Sequence, residues 1–322
     1  FTASVSANVA IGDIFVITDE VSFMATYTYL LTGISGSDYT LKQVYDGGSG
    51  MGDQSPYGNF MVYDDSFNPV QASGIFKRAF SEILYFEEMV DDSSPRYWGS
   101  SDDVVGECHG DSDFTNTRVY FNQKQSLASV KLTANSADRH TGIASGTAGG
   151  KVLIRPTSGT SHNNGIIDVN IDNFIMEWIE IDLGALDSTT TNKAVLLRGT
   201  NDDNIIRNNL IHDKGGDPGG TGPFMIHTVG AGASSDTISI LNNVIYNVVE
   251  TTGDTASGIN ISGWSGTVNI YNNTVYNIDS NGSKAASAYR YNGQANQTAN
   301  VKNNIASKLV ADSSSYKRAF WD

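Results

Sequence analysis

The stretch IIRNNLIHD, residues 205–213, decides the fold, because its pattern returns three more times along the chain. The Asn-Asn pair at its centre, Asn208-Asn209, is followed by Asn242-Asn243, Asn272-Asn273 and Asn303-Asn304. The first members of these pairs lie 34, 30 and 31 residues apart. The flanks SILNNVIYNV, NIYNNTVYNI and NVKNNIASK repeat as well. A near-constant period of this length is the signature of a stacked structural repeat.

A fifth copy without the Asn pair is FIMEWIEID, residues 174–182, and we align its Met176-Glu177 with Asn208-Asn209. Two columns of the alignment are apolar in every copy, whereas the position just before the pair is mixed and reads as an outer face. Such alternation predicts strands rather than helices, with a bend at the Asn pair where the alternation shifts. The apolar columns are Phe174, Ile206, Ile240, Ile270 and Val301, and Ile179, Ile211, Ile245, Val275 and Ala306.

Each copy is therefore predicted to be two short strands joined at an Asn corner, closed by loops rich in Gly, Asp, Ser and Thr. No loop contains a ten-residue amphipathic pattern, which argues against a fold of alternating strands and helices. Coils of this kind stack into a parallel β-helix, in which each repeat buries its face against its neighbours. Because Met176 shares a column with the first Asn of each pair, we predict that this column points inward and forms a ladder of satisfied amides. The predicted ladder is Asn208, Asn242, Asn272 and Asn303.

The N-terminal part has no such repeat. Strand-like runs between Gly and Asp turns predict a small antiparallel β module at residues 1–66, with YGNFMVYDD at 57–65 as its fourth strand. A linker and a helix at about 77–90 follow within residues 67–100, and the helix is expected to cover the open end of the solenoid. Residues 101–322 form the parallel β-helix. Phe320 and Trp321, more sequence, or a partner subunit are the alternatives for covering the last coil.

Composition restricts the partners. Asp and Glu outnumber Lys and Arg by 35 to 20, which gives a formal charge of −15 and argues against nucleic acid and anionic membranes as partners. No apolar run has membrane-spanning length. The single cysteine, Cys108, excludes an internal disulfide and a Cys-based metal site, and we interpret it as a buried core residue. The low charge content and the abundance of Gly, Asn, Ser and Thr are typical of extracellular or virion β proteins.

The repeat resembles the right-handed parallel β-helix (pectin-lyase-like) superfamily over roughly residues 101–322. That fold carries lyases, hydrolases, adhesins and viral fibres, so the resemblance implies fold rather than activity. A closer resemblance, over about residues 76–215, is to uncharacterised β-helix proteins of phages and aquatic bacteria, which are generally taken as surface or virion components. The motifs that carry it are Gly106-Glu107-Cys108, Asp111-Ser112, Phe114, Leu132-Thr133, Arg139-His140, Gly142 and the run Glu177 to Asp182.

One outward column is the candidate binding site, four positions after the first Asn of each pair: Glu180, His212, Tyr246, Tyr276 and Ser307. Tyrosine rings on a flat face stack well against sugars, and a carboxylate beside an imidazole can transfer protons. Tyrosine is also favoured on any exposed strand. We therefore prefer the interpretation that this column is an exposed strand face without a binding role. If the chain is an enzyme, Glu180, His212 and Asp213 are its catalytic candidates.

Two enzymatic alternatives place different demands on the carboxylates. A glycoside hydrolase needs two of them across a cleft, and Glu177, Glu180, Asp182 and Asp213 are available. By family analogy, a pectate lyase needs Asp ligands for Ca²⁺. Its signature sets Asp-His beside Trp-Ile, and this chain does not reproduce it, because Trp178-Ile179 is followed by Glu180-Ile181. Oxygen-rich loops suit Ca²⁺, which makes Ca²⁺ the one cofactor to consider; a solvated acidic loop is the simpler interpretation. The residues of that loop are Glu107, Asp111 and Asp113. The histidines His140, His162 and His227 are scattered and show no zinc spacing.

The sequence therefore predicts an all-β, non-enzymatic structural protein of a cell surface or virion. It would work by assembly and display, with other copies or other surface subunits as partners and glycans as ligands of the outer sheet. The alternatives are a polysaccharide lyase or glycoside hydrolase acting on the same face, and a subunit of a head-to-tail filament.

Overall fold

A computed structural model describes most of the chain, which divides into two compact units, Phe1–Ser81 and Glu82–Asp322. In the first unit it describes the backbone of the strands within residues 13–78. In the second it describes the helix at 83–91 and the segments 103–110, 113–115, 118–122, 127–145, 151–157, 164–186, 193–199, 203–215, 222–230, 233, 235–251, 255–280, 284–292, 297–311 and 317–321.

The described strands of the first unit form one antiparallel sheet. They are β1 Asp13–Thr18, β2 Thr26–Ser35, β3 Asp38–Asp46 and β4 Gly74–Arg78, in the order β3-β2-β1-β4. β1, β2 and β3 lie within residues 1–66, where we predicted an antiparallel β module. β4 pairs with β1 and lies in residues that we predicted as linker and helix start. The strand predicted at 57–65 lies outside the described residues.

The second unit begins with the single described α-helix, α1 Ile83–Asp91. Its buried side chains Ile83, Phe86 and Val90 recur at helical spacing and form one apolar face. The Phe86 ring lies 6.2 Å from that of Phe121, at an edge-to-face angle. A Cβ on Gly106 would lie 2.7 Å from the same Phe86 ring. The helix therefore packs against the first coil, and it begins later than predicted, since residues 74–78 are a strand.

The remainder is a parallel β-solenoid, in which each coil adds one strand to each of three sheets. This confirms the all-β fold and the stacked parallel coils predicted from the Asn-Asn period; the hand of the solenoid stays a prediction. Sheet 1 consists of β5 Asp103–Cys108, β7 Ser129–Ala134, β10 Phe174–Glu177, β13 Asn204–Arg207, β16 Thr237–Leu241, β19 Thr267–Tyr271 and β22 Thr298–Lys302. Sheet 2 consists of β8 Leu153–Ile154, β11 Glu180–Asp182, β14 Leu210–Lys214, β17 Val244–Glu250, β20 Thr274–Ser280 and β23 Ile305–Ala311. Sheet 3 consists of β6 Val119–Phe121, β9 Ile167–Val169, β12 Val195–Arg198, β15 Phe224–Val229, β18 Ala256–Ser262, β21 Ala286–Asn292 and β24 Lys317–Trp321. Short 3-10 helices lie at Ser136–Asp138 and Gly184–Leu186.

The core is the row of apolar side chains that the sheets direct inward. On sheet 1 Met176, Ile206, Ile240 and Ile270 follow one another in register and are buried. Val301 continues the row, but it is 42% exposed because no further described coil covers it. β-branched residues dominate these rows since they fit a pleated strand with little loss of freedom.

The corner between sheets 1 and 2 explains the Asn pair. The first Asn of each pair has a left-handed backbone: φ is 56° at Asn208, 55° at Asn242, 57° at Asn272 and 53° at Asn303. Asn tolerates this conformation better than other side chains with a Cβ. In the copy without the pair, the residues of β10 and β11 pair with residues 30 positions later in the chain. This register aligns Trp178 with Asn208, and Trp178 has the same left-handed backbone, with φ 62°. Our alignment of Met176 with Asn208 is therefore wrong by two residues.

The predicted ladder of first Asn residues is also wrong, by one position. Asn242 and Asn272 are exposed and Asn208 is half-buried, whereas the second member of each pair points inward. The left-handed corner residue turns the chain, so strand alternation cannot be carried across it. The observed ladder is Asn209, Asn243, Asn273 and Asn304. Asn209 and Asn243 each donate from Nδ2 to the Oδ1 of the next rung at 3.0 Å. Asn273 donates to Asn304 in the same way, also at 3.0 Å.

Glycines lie at the corner where the chain leaves sheet 3 and continues to sheet 1 of the next coil. Gly199, Gly230 and Gly263 follow the ends of β12, β15 and β18 and have φ of 74°, 117° and 71°. At Gly230 a Cβ would lie 2.8 Å from the backbone nitrogen of Gly199, whereas at Gly263 its nearest neighbour would be 3.5 Å away. Only glycine combines this backbone conformation with so close an approach.

Candidate functional site

Glu180 and His212, the predicted carboxylate–imidazole pair, do lie together, on the outer side of sheet 2. His212 Nε2 is 3.0 Å from Glu180 Oε1, and Nδ1 is 2.9 Å from Asp213 Oδ2. Glu180 also accepts hydrogen bonds from the Ser145 backbone N–H at 3.0 Å and from its hydroxyl at 2.9 Å. The pair thus joins two neighbouring coils to the segment that contains Ser145.

The surroundings favour the charged form of both groups. Burial raises the pKa of Glu180, but hydrogen bonds from His212 and Ser145 outweigh it and leave the pKa below its usual value. Burial lowers the pKa of His212, but the bonds to Glu180 and Asp213 outweigh that and raise it above 6.5. The imidazolium and the carboxylate form a buried, fully hydrogen-bonded ion pair.

This burial contradicts the prediction that Glu180 and His212 belong to an exposed face. Glu180 is 0% and His212 2% exposed. The segment 139–145 from an earlier coil covers them, with Arg139 over the Trp178 ring and His140 beside it at ring distances of 5.0 and 5.9 Å. Register also differs, since Asp182 rather than Glu180 pairs with His212 in the outward column. In this geometry neither residue offers an atom to a polymer outside.

Three predicted carboxylates also have partners within the protein. Asp182, His212 and Asp213 bring ligand atoms within 4.8 Å of one another. However, Asp182 accepts from Arg155 at 3.0 Å and from the backbone of Gly184. Asp213 Oδ1 accepts from Asn247 at 2.7 Å. Glu177 lies on sheet 1, where it pairs with Arg207 at 2.6 Å and with Lys131.

The Ca²⁺ candidates are not gathered into a coordination shell by the described residues. Glu107 is exposed and accepts from Asn135 Nδ2 at 2.8 Å. Asp113 pairs with Arg155 at 2.9 Å, and Asp111 lies outside the described residues. Cys108 is buried as predicted, and burial raises the pKa of its thiol to about 12.

Tyr246 and Tyr276 remain on the surface of sheet 2, on successive strands and in register. Tyr246 stacks on His212 with ring centroids 5.0 Å apart and planes 8° from parallel, and Tyr276 is 42% exposed. Beside the rings runs a second amide row, in which Asn277 donates to Asn247 at 2.8 Å. Both Asn residues are left-handed bends inside their strands, with φ of 56° and 55°. We call Tyr246, Tyr276, Asn247 and Asn277 the tyrosine face.

A second polar cluster, on the outer side of sheet 3, has no counterpart among the predicted sites. At its centre lies the fully buried carboxylate of Asp168. This carboxylate accepts hydrogen bonds from Arg118 at 2.7 Å and from Arg198 at 2.6 Å. Further along the same sheet His227 and Asn260 are opposite one another on β15 and β18. They are separated by about one repeat period in sequence, which is the signal that would have linked them.

Comparison of the chain with protein-family models, curated proteins and solved structures found no match to any of them. None of the helices in the part of the chain that the structure describes has the length and apolar character needed to cross a membrane.

Proposed function

We propose that this chain is a non-enzymatic structural component of a cell surface or virion, and that the tyrosine face binds glycans. In this proposal the solenoid is right-handed and related to the pectin-lyase-like superfamily and to the β-helix surface proteins of phages and aquatic bacteria. The protein then acts as a stiff support that presents one ligand-binding face.

The observation that carries the proposal is the sealed Glu180–His212 pair. Glu180 and His212 are hydrogen-bonded to each other, the Ser145 hydroxyl donates to Glu180, and the Tyr246 ring stacks on His212. A general acid or base must reach the proton it transfers, and these two groups face each other instead. Their use is structural, as is that of the inner Asn ladder.

The tyrosine face has the composition of a sugar-binding surface. Aromatic rings stack against the apolar faces of pyranose rings, and side-chain amides offer both donors and acceptors to hydroxyl groups. Strands in one sheet are about 4.8 Å apart, so the two rings and the two amides present the same pair of contacts on successive coils. Such a repeat suits a polymer with repeating units.

A glycan array with the full chain tests this function. We expect binding to a restricted set of polysaccharides, lost in Tyr276→Ala and weakened in Asn277→Ala. Tyr271→Ala is the matched control, because Tyr271 lies on sheet 1 and donates to Asn269. Equal binding by Tyr276→Ala and wild type would reject the tyrosine face as the site.

The enzymatic alternative is tested separately with the polysaccharides that bind. Release of reducing ends or of unsaturated products, with and without Ca²⁺, should remain at the level of a blank. Turnover that disappears in Glu180→Gln would reject the non-enzymatic proposal and assign that residue to catalysis.

Self-association is the partnership that the last coil supports. Val301 and Phe320 are 42% and 53% exposed there, although they continue inward-facing rows of the preceding coils. Ile305, on the outer side of sheet 2, is 58% exposed. Light scattering and electron microscopy of the full chain should show regular oligomers or filaments. A monomer at all accessible concentrations would contradict self-association without affecting the glycan test.

A further inference from the structure

A row of side chains crosses the strands on the outer side of sheet 3. Its members pair in register from each strand to the next and are Asp168, Leu196, His227, Asn260 and Arg290. The first four are buried and the last is half-buried, whereas the tyrosine at the end of the tyrosine face on sheet 2 is 42% exposed. This row is therefore sheltered from solvent, although it lies outside the core.

Asp168 shows how a buried polar group in this row is satisfied. Arg198 donates to both of its carboxylate oxygens, in the forked geometry that guanidinium groups favour. Arg118 donates to Oδ2 of the same carboxylate from two nitrogens. Both oxygens of Asp168 are thus bonded within the protein.

His227 and Asn260, opposite one another on β15 and β18, are not satisfied in this way. His227 is 8% and Asn260 3% exposed. Within the part of the chain that the structure describes, neither ring nitrogen of His227 has a hydrogen-bond partner, and neither does Oδ1 of Asn260. Buried polar groups normally have a partner in the protein or in another molecule. Two unsatisfied side chains in register on neighbouring strands therefore indicate a place where another molecule completes the bonds.

The surroundings of His227 argue against a metal ion as that molecule. Burial and three nearby positive charges, those of Lys193, Arg290 and Arg198, lower the pKa of the ring to about 3, so it is neutral. A metal cation on the ring would meet the same burial and the same repulsion. The neutral ring offers one N–H donor and one acceptor nitrogen, and Oδ1 of Asn260 is a second acceptor.

A hydroxyl group fits both kinds of site, because its O–H donates and its oxygen accepts. It therefore satisfies His227 whichever ring nitrogen carries the proton. The two ring nitrogens point in different directions, so the ligand needs more than one hydroxyl group. Two apolar side chains adjoin the ring: Leu196 pairs with His227 in register, and the Phe224 ring lies edge-to-face with it at 5.0 Å. These side chains suit the C–H groups of a carbon chain that carries hydroxyls.

We infer that the outer side of sheet 3 binds a small neutral polyol, whose hydroxyl groups bond to His227 and Asn260 and whose carbon chain packs against Phe224. The ligand needs no charge, because the atoms that lack partners belong to a neutral ring and a neutral amide. This site is on a different sheet from the tyrosine face and does not depend on it.

Three probes with carbon chains of equal length test this ligand class. Sorbitol carries a hydroxyl group on every carbon, hexanediol carries hydroxyls only at its ends, and gluconate has a carboxylate at one end of a hydroxylated chain. We expect calorimetry on the full chain to show saturable binding of sorbitol, about tenfold tighter than that of hexanediol and no weaker than that of gluconate. Equal binding of hexanediol would mean that the apolar wall alone is recognised, tighter binding of gluconate that charge is recognised, and either overturns the inference.

Two variants locate the binding. His227→Phe and Asn260→Leu should each weaken sorbitol binding about tenfold or more. His109→Phe is the matched control and should bind like the wild type, because it makes the same change at a histidine just after β5 on sheet 1, whose side chain is 41% exposed. In the wild type, the imidazole nitrogen signals of His227 should shift on titration with sorbitol, a measurement that does not depend on how the variants fold. Unchanged His227 signals under saturating sorbitol would overturn the site.

Discussion

Asn243 donates two hydrogen bonds to the Oδ1 of Asn273, one from its backbone N–H and one from its side-chain Nδ2, and each is 3.0 Å long. The same Nδ2 donates to the carbonyl of Ile206 at 2.9 Å. One side chain thus fastens the corner of its own coil to the coils on both sides. The neighbouring Asn242 has no such role inside the core, since it forms the left-handed corner at the surface.

We predict opposite outcomes for the two members of this pair. Asn243→Ala should lower the free energy of unfolding by about 1–3 kcal/mol, because the donors of Asn209 lose their acceptor in a buried place. Asn242→Gly should change it by a few tenths of a kcal/mol, since glycine adopts a positive φ freely. Urea denaturation followed by circular dichroism measures both. A larger loss of unfolding free energy for Asn242→Gly than for Asn243→Ala would mean that the first Asn of each pair forms the ladder.

The glycine corner gives a second matched pair. Gly263→Ala should destabilise by about 1–2 kcal/mol, the cost of a left-handed residue with a Cβ. Gly230→Ala should cost more, since its Cβ would also lie 2.8 Å from the backbone of Gly199. Melting temperatures of the two variants, measured side by side, check the order. Equal losses would mean that the coils separate easily at this corner.

The Glu180–His212 pair predicts a dependence of stability on alkaline pH. The folded pKa of His212 is raised above 6.5, so its contribution is complete below 6.5 and is lost as pH rises through the folded value. The folded pKa of Glu180 is lowered, so its contribution is present above 4.5 and is lost as pH falls through the folded value. The pair stabilises most between these limits.

Melting temperatures of wild type and Glu180→Gln measure this effect between pH 5 and pH 9, a range that brackets the ordinary histidine pKa of about 6.5. The advantage of the wild type should be largest at the acidic end of the range and should shrink as His212 loses its proton. An advantage that grows with pH would show that His212 is neutral in the folded protein.

His227 is expected to make the folded protein less stable as the pH falls, the opposite of the effect expected from His212. Its folded pKa is about 3, whereas an unfolded histidine takes up its proton near 6.5. The unfolded state therefore binds protons first, and stability falls as pH drops below 6.5. His227→Leu should remove this part of the acid sensitivity, so its melting temperature should fall less than that of the wild type between pH 6.5 and pH 4.5. Parallel curves would mean that His227 is accessible to solvent.

The solenoid was predictable because Asn208 and its equivalents mark one corner of every coil at a fixed period. The copy without Asn was misaligned because Trp178 gives no sign in sequence that it takes the left-handed backbone. The choice between Asn208 and Asn209 failed for a related reason: alternation of side chains holds within a strand and not across a turn. Both errors arise from a single backbone angle.

The candidate site was predictable in its members but not in its exposure. Glu180 and His212 meet as expected, yet Ser145 reaches them from a coil 35 residues earlier in the chain. Nothing in the sequence around Ser145 indicates what that segment covers. On sheet 3, His227 and Asn260 were missed because they belong to a column that the Asn pairs do not mark.

The direction of the inner ladder gives the molecule a feature that stacking alone does not require. Each amide oxygen from Asn209 to Asn273 accepts from the preceding coil, and each Nδ2 donates to the Asn oxygen of the following coil as well as to a backbone carbonyl of the preceding one. The dipoles of these amides point the same way and add along the axis, as peptide dipoles do in a helix, and each polarises the next. A coil inserted in the reverse sense would set oxygen against oxygen. The axis of the solenoid therefore has an electrical polarity, so a charged group would have a different energy at each end of the ladder.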